Sequence, residues 1–419
     1  MTDSTKISWL RRIGPGVLVA ATGVGAGDLM TASFAGARMG VGIFWAVVFG
    51  ALLKWALNEG LARWQLGSGE TLLEAWTRRM RLHWVLLVYL LIWAFVTGGA
   101  LINACGVAIE ALVPIESTLP GGFQWRAMWG LLHAFGGMAL VLIGGFRLFE
   151  KMMTACVGVM VLTVAICAAM SLPHIDWSTV RFVSPVGLNG ERLRWTLGLI
   201  GGVGGTVTLL SYGYWIREEG RAGDSGIREC RLDLSIGYAV TAAFGVLMLV
   251  IAMTVPEISA RGGEVAALLA DKISQRVWGP LRIVFLLGFW GAVFSSLLGV
   301  WQGVPYLFAD LARTVGWEPA ADRERELTRT RAYLGFLLFL TIAPLPTLVW
   351  KIREIALAYA VFGALFMPFV AGSLLWLNNR GALPRAFRNG WVSNAILIVT
   401  VLFFVWAGAQ ELIDRFSPD

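Results

Sequence analysis

The carboxylate best placed to do chemistry is Asp28, in the stretch AATGVGAGDLMTAS at residues 20–33. It sits inside an apolar run, where a carboxylate at mid-bilayer depth costs about 2.5–3.5 kcal/mol on insertion scales. Gly23, Gly25 and Gly27 precede it, and each glycine weakens a helix by about 1 kcal/mol relative to alanine. A second glycine cluster, Gly201-Gly202-Val203-Gly204-Gly205-Thr206, lies in another apolar run and is followed by Thr208. Unwound backbone at two such places frees carbonyls to coordinate a cation and exposes the partial charges of helix ends. Asp28, the carbonyls near Val24, Gly25, Gly204 and Gly205, and the hydroxyls of Thr22, Thr206, Thr208, Ser211 and Tyr212 would then form a singly charged, all-oxygen, glycine-walled site. Oxygen ligands suit hard cations, and Mg²⁺ keeps several waters and uses one or two carboxylates. Asp28, the Gly205 carbonyl and Thr208 are the expected metal ligands; Thr22, Thr206, Ser211 and Tyr212 are expected along the pathway. The same carboxylate could meet an organic amine. It could also simply cap the half-helix that follows it, snorkel, or pair with a basic group, and glycines in membrane helices also serve close packing.

The other reactive residue types form no constellation. Cys105, Cys156, Cys167 and Cys230 read as small packing residues without a CxxC pattern, and His83, His133 and His174 are too scattered for a metal site. No nucleotide-binding motif or soluble-enzyme arrangement occurs, so neither ATP-driven pumping nor catalysis is expected, and no cofactor is implied. The stretch WIREEGRAG (215–223) reads as a solvated helix end or, with Arg217, Glu218 and Glu219, as the lining of an inner vestibule. DRERELTRTR (322–331) reads as a cytoplasmic helix face.

The elements that must position Asp28 follow from composition. The chain has 419 residues, 57% hydrophobic and 15% charged, with mean hydropathy +0.70. Soluble domains carry about 25% charge, so this is a polytopic, all-α membrane protein in a lipid bilayer. Apolar runs fall near 14–37, 41–60, 84–112, 125–145, 152–172, 196–216, 235–255, 281–308, 332–350, 355–378 and 391–412, each long enough to cross about 30 Å of hydrocarbon. The loops between them leave no room for an extramembrane domain. No small-residue cleavage site follows the first run, so no removable signal peptide is expected. Breaks in the first and sixth of eleven spans suggest two five-span repeats in inverted orientation plus one extra helix, with the first repeat at about 12–172, the second at about 196–378 and the extra helix at about 391–412. The net charge of +7 reflects topology rather than nucleic-acid binding. With a cytoplasmic N-terminus, 21 of the 34 Lys and Arg face the cytoplasm and 12 the opposite side, which places the C-terminus outside. Trp9, Trp84, Trp177 and Trp278 fall near span ends, where an interfacial belt is expected, while Trp93 and Trp301 read as packing or pathway fillers.

The stretch GPGVLVAATGVGAGDLMTASFAGARMG resembles the first span of the Nramp metal-ion transporters, with Gly14-Pro15-Gly16, Thr31, Ala35-Gly36 and Gly40 where that family has them. Similarity continues through GGTVTLLSYGYW in the sixth span, RECRLDLSIGYAVTAAFGVLMLVIA entering the seventh, and Ser295-Ser296 with GVWQG in the eighth. It extends to MPFVAGSLLW in the tenth and FRNGWVSNAIL entering the eleventh. The resemblance spans essentially the whole chain and implies the LeuT-type inverted-repeat fold. The departures fall in the functional motifs. Where the family has Asp-Pro-Gly-Asn, this chain has Gly25-Ala26-Gly27-Asp28, so the metal-binding Asp position is glycine and the Asn position is Asp. In the sixth span Gly205, Thr208, Leu209 and Leu210 stand where the family presents an alanine carbonyl, a methionine sulfur, proline and histidine. Ala360 stands for a tenth-span glutamine, and Trp93, Ala100 and Asn103 stand where third-span acids relay protons. Loss of the soft thioether disfavours transition metals relative to Mg and Ca.

These readings converge on an Nramp-like secondary transporter of divalent cations in the cell membrane, for hard or hydrated ions such as Mg²⁺ rather than Mn²⁺ or Fe²⁺, without proton coupling. A LeuT-fold carrier of a small organic cation or amino-acid-like solute is the alternative, and a receptor-like protein that kept the fold is a third. The oligomeric state is left open, with a monomer the simplest case.

Overall fold

In hydrocarbon every N–H and C=O must find its partner inside the segment, and a helix achieves that. The computed structural model describes residues 14–115, 124–184, 190–202, 205–255, 264–322, 324–348, 366–381 and 383–416, and the regular elements among them are helices. They are α1 (Gly14–Gly23), α2 (Ala26–Met39), α3 (Phe44–Ser68), α4 (Leu72–Arg78), α5 (His83–Leu112), α6 (Trp125–Ser171), α7 (Gly190–Gly202), α8 (Ser211–Glu218), α9 (Gly223–Ala252), α10 (Glu264–Arg276), α11 (Leu281–Val315), α12 (Arg331–Ile342), α13 (Phe366–Asn378) and α14 (Trp391–Phe416).

Among the described residues, seven helices are long and apolar enough to cross a membrane, counting α6 with the turn after it, Trp125–His174, as one. That helix holds the expected fourth and fifth spans. Instead of a loop between them there is one residue out of helical geometry, Gly145 at φ 59°, a backbone region that costs glycine nothing. The first span is α1 plus α2, the sixth is α7 plus α8, and α13 belongs to the tenth, so the eleven-span reading stands. Ile143, Leu162 and Leu402 are strongly exposed, as side chains facing lipid should be. α11 is the centre of the bundle and mostly buried, whereas α14 at the periphery is mostly exposed. It packs on α5, α6, α12 and α1, while α9 packs on α1, α2 and α3.

α1 and α9 approach backbone to backbone. A Cβ added to Gly237 would meet the Gly16 carbonyl oxygen, and one added to Gly16 would meet the Asp233 carbonyl. The Gly16 N–H also donates to Asp233 Oδ1 at 2.6 Å, so a carboxylate of α9 satisfies one of the donors that the first turn of α1 leaves open.

Two short helices were not anticipated from hydropathy. α4 begins with a capping box in which Thr71 and Glu74 satisfy each other's backbone N–H groups. α10 lies in the loop between the seventh and eighth spans and buries Val265, Ala266, Leu269, Ala270 and Ile273, one helical face, against α11, α5 and α2. DRERELTRTR is not the helix face expected. It folds as short 3₁₀ turns at Ala320–Asp322 and Leu327–Arg329. Arg313 organises it, bonding Glu318 at 2.7 Å and the carbonyls of Asp322 and Arg325 at 3.1 and 2.8 Å. These charge-assisted bonds to loop carbonyls outweigh the propensity of the charged run for helix. Thr330 then caps α12. Trp84, Trp177 and Trp278 are about half exposed near span ends, and all four cysteines are free and buried.

Candidate site at the two helix breaks

α1 ends at Gly23, and Val24 and Gly25 separate it from α2. Helix ends leave carbonyls without intrahelical partners, and here α11 serves them with hydroxyls. Ser295 Oγ lies 3.0 Å from the Ala21 carbonyl and 3.0 Å from that of Ala292. Ser296 Oγ lies 2.9 Å from Val24 O, 3.3 Å from Thr22 O and 3.4 Å from Ala21 O. A Cβ on Gly25 would stand 3.2 Å from the Ser296 hydroxyl. The first break is therefore rich in oxygen acceptors, with neutral donors.

At the sixth span α7 ends at Gly202, and Gly205 takes a left-handed φ of 75° before a 3₁₀ turn, Val207–Leu210, leads into α8. A side chain on Gly205 would be strained by that φ, and its Cβ would lie 2.6 Å from Thr208 Oγ1 and 3.4 Å from the Cα of Gly23. The latter distance shows that the two breaks lie side by side with no room for a side chain between them. The open carbonyls here are held by a charge. Lys54 of α3, fully buried, donates from Nζ to Gly201 O at 2.8 Å and to Gly205 O at 2.7 Å. From α5, Trp93 Nε1 donates to Thr206 Oγ1 at 3.1 Å. Asn103 donates to Gly99 O at 2.8 Å and reaches Thr347. A cavity of about 10 Å³, lined in part by Val24, Thr31, Leu199 and Phe244, lies alongside, room for about one water.

The expected site residues meet different fates. Val24, Gly25, Gly205, Thr206 and Thr208 come together at the paired breaks. The Thr22 hydroxyl bonds back to Leu18 O within its own helix at 2.7 Å. The Ser211 hydroxyl is buried without a partner among the described residues. Tyr212 is tied into a clasp in which its hydroxyl donates to Asp233 Oδ2 at 3.2 Å and Arg221 Nη1 donates to the same oxygen at 2.9 Å. Asp28 is the third residue of α2 by its backbone, in the first turn, where the helix dipole favours an anion; its side chain lies outside what is described. Gly204, Ala360 and Trp9 lie outside the described residues.

The buried charges missed from the sequence include Lys54, Asp233 and Asp310. Lys54 is the basic residue left over when the other Lys and Arg are assigned to one membrane side or the other, and an ionisable group in mid-span is by default a functional candidate. Asp233 joins α1, α8 and α9. Asp310 of α11 accepts from Tyr214 at 2.6 Å and from Thr71 at 2.8 Å. Around the same end of α8, Arg217 pairs with Glu74 at 3.0 Å and Tyr306 donates to Glu218 at 3.0 Å. WIREEGRAG is thus an engaged helix end, with Arg217 and Glu218 held by neighbouring elements.

Comparison with known proteins agrees with this architecture. A crystal structure of a mutant manganese transporter from Eremococcus coleocola superposes with a TM-score of 0.74 at 17% identity, covering 100% of this chain and 90% of that one. A nucleobase-cation-symport-1 family transporter, in a closed conformation with bromovinylhydantoin bound, gives a TM-score of 0.58 at 11% identity over 97% of this chain and 93% of that one. At these identities the likeness is one of fold, the LeuT-like arrangement of broken first and sixth spans. An uncharacterized protein of Pasteurella multocida (strain Pm70) is 21% identical over 295 residues, 68% of this chain and 66% of that protein, so the match covers just under two thirds of the relative's length. A family model described as Natural resistance-associated macrophage protein-like matches residues 16–414, and the chain belongs to that family, Nramp, of multi-pass membrane transporters.

Proposed function

We propose that the chain is a secondary carrier of a divalent cation and that the ion passes between the two helix breaks. The observation that carries this reading is electrostatic: the carbonyls of the sixth-span break already hold a positive charge, the Lys54 ammonium. The first break adds carbonyls of Ala21, Thr22 and Val24 and two serine hydroxyls. Asp28, two residues into α2, supplies the negative charge. With Gly25 and Thr208 in the family's ligand positions, no thioether and no second carboxylate remain. Hard or hydrated ions of the Mg²⁺ type are accordingly favoured over Mn²⁺ and Fe²⁺. Val24, Gly25, Gly204, Gly205 and Thr208 complete the proposed site, with Thr22, Thr206 and Ser211 along its pathway, while Tyr212 stays in its clasp with Asp233.

Transport is proposed to run without proton coupling, because Trp93 and Asn103 present neutral donors where a relay would need acids. No enzymatic role and no cofactor are part of the proposal. The two repeats, about 12–172 and 196–378, would flank the site, with the extra helix 391–412 outside them and the N-terminus in the cytoplasm. A second reading has its own observation: the group filling the sixth break is an alkylammonium, so the same oxygens suit a small organic amine. Flux into proteoliposomes, screening Mg²⁺, Mn²⁺, Ca²⁺ and methylammonium against protein-free vesicles, tests both. Uptake of Mg²⁺ supports the first reading, and uptake of the amine alone supports the second.

A further inference from the structure

Burying an ammonium is costly unless its partners repay the lost hydration, and two of the partners that Lys54 has are carbonyls of one helix break. Arginines serve open carbonyls in the loops, as Arg313 does, but neutral groups also serve carbonyls between the packed helices. Gln65, eleven residues further along the same helix, donates to Gly213 O of α8 at 2.5 Å, and Asn378 donates to Gly60 O at 2.9 Å. Ser296 serves the first break. Only at Gly201 and Gly205 do the described helix-break carbonyls converge on a cation. Gly201 lies in the last turn of α7, where unpartnered carbonyls carry the negative end of the helix dipole. Gly205 turns its carbonyl toward the same point from the far side of the break. Both oxygens lie at hydrogen-bonding distance from one nitrogen, so a transported ion seeking these oxygens would find Lys54 Nζ already there.

We propose that Lys54 is a resident, covalently tethered cation of the site. Its ammonium fills the sixth-span half of the oxygen cradle while no ion is bound. A transported cation gains those carbonyls only when the ammonium withdraws on its four-carbon stem, taking its proton with it. Lys54 therefore competes with the cargo and sets the site's affinity low. This inference rests on the reading of the breaks as a cation site.

The test is ion-dependent thermal stabilisation of the purified full-length protein in detergent, with MgCl₂ and MnCl₂ titrated at ionic strength held constant by choline chloride. Lys54→Met removes the charge and keeps much of the volume. Lys54→Gln keeps a neutral donor and guards against misfolding of the first variant. The midpoint for Mg²⁺ is expected to fall by about tenfold or more in both, to stay at or above the native value in Lys54→Arg, and to vanish when Asp28→Asn is added. An unchanged or raised midpoint in both neutral variants overturns the proposal. If that happens while the native protein still binds Mg²⁺ in an Asp28-dependent way, the cation-site reading survives without it. If neither ion stabilises the native protein or any variant, both fall.

Discussion

The two helix breaks solve one problem in two ways. Each leaves carbonyls without helical partners in the interior of a membrane protein. At the first, α11 brings Ser295 and Ser296, neutral hydroxyls that can point a hydrogen at one carbonyl or another. At the sixth, α3 brings Lys54, which carries a full charge and cannot be an acceptor. On the proposed reading, the first break would offer oxygens to an incoming ion with little rearrangement, whereas the sixth would first have to surrender the Lys54 ammonium. Two elements of the same local construction differ in what they ask of the cargo, and the difference comes from the neighbouring helices, not from the glycines.

Four predictions press on that contrast. The largest effect is expected at Asp28: Asp28→Asn keeps the shape and capping capacity but removes the charge, so the protein should express and fold while cation flux falls to the protein-free background. Flux at the native rate would leave Asp28 only a partner of the α2 helix dipole. Next is Gly205→Ala, where a left-handed φ costs a side-chain-bearing residue about 1–2 kcal/mol and the new Cβ would crowd Thr208; a lowered melting temperature in detergent checks it. Ser296→Ala should be milder, about 0.5–1.5 kcal/mol for a lost hydrogen bond. Unlike the Lys54 variants, it should not tighten ion binding, and a titration showing that it does would erase the contrast between the breaks. The smallest expected effect is none at all. A pH-sensitive dye in the lumen of proteoliposomes should report no acidification in fixed proportion to ion uptake.

The spans and their breaks were legible because their causes are local. A long apolar run has one way to satisfy its backbone in lipid, and Gly23, Gly25, Gly201 and Gly205 mark the breaks within a few residues of where they occur. The partners of those breaks were not legible. Lys54 lies 147 and 151 residues from the glycines it serves, and in its own stretch, GALLKWALNEG, it reads only as an interruption of an apolar span. Asp233 stands 217 residues from Gly16. The loop at 322–331 was misread for the same reason: Arg313, in the preceding helix, decides its shape. Tyr212 looked available for a pathway because a tyrosine near a break has a free hydroxyl on paper, while Asp233 claims it in the structure.

The glycine contact between α1 and α9 has a consequence for leverage. Where Gly16 meets Asp233 and Gly237 the two backbones touch directly and the Asp233 carboxylate holds the Gly16 N–H, so this end of α1 would be the fulcrum of any tilt. From there to Gly23 the helix is about 10 Å long at 1.5 Å per residue, so a tilt of about 6° at the fulcrum carries its tip through about 1 Å. That displacement would be enough to part the Val24 carbonyl from the Ser296 hydroxyl, now 2.9 Å away, so the hydrogen bonding of the first break is sensitive to small tilts of α1.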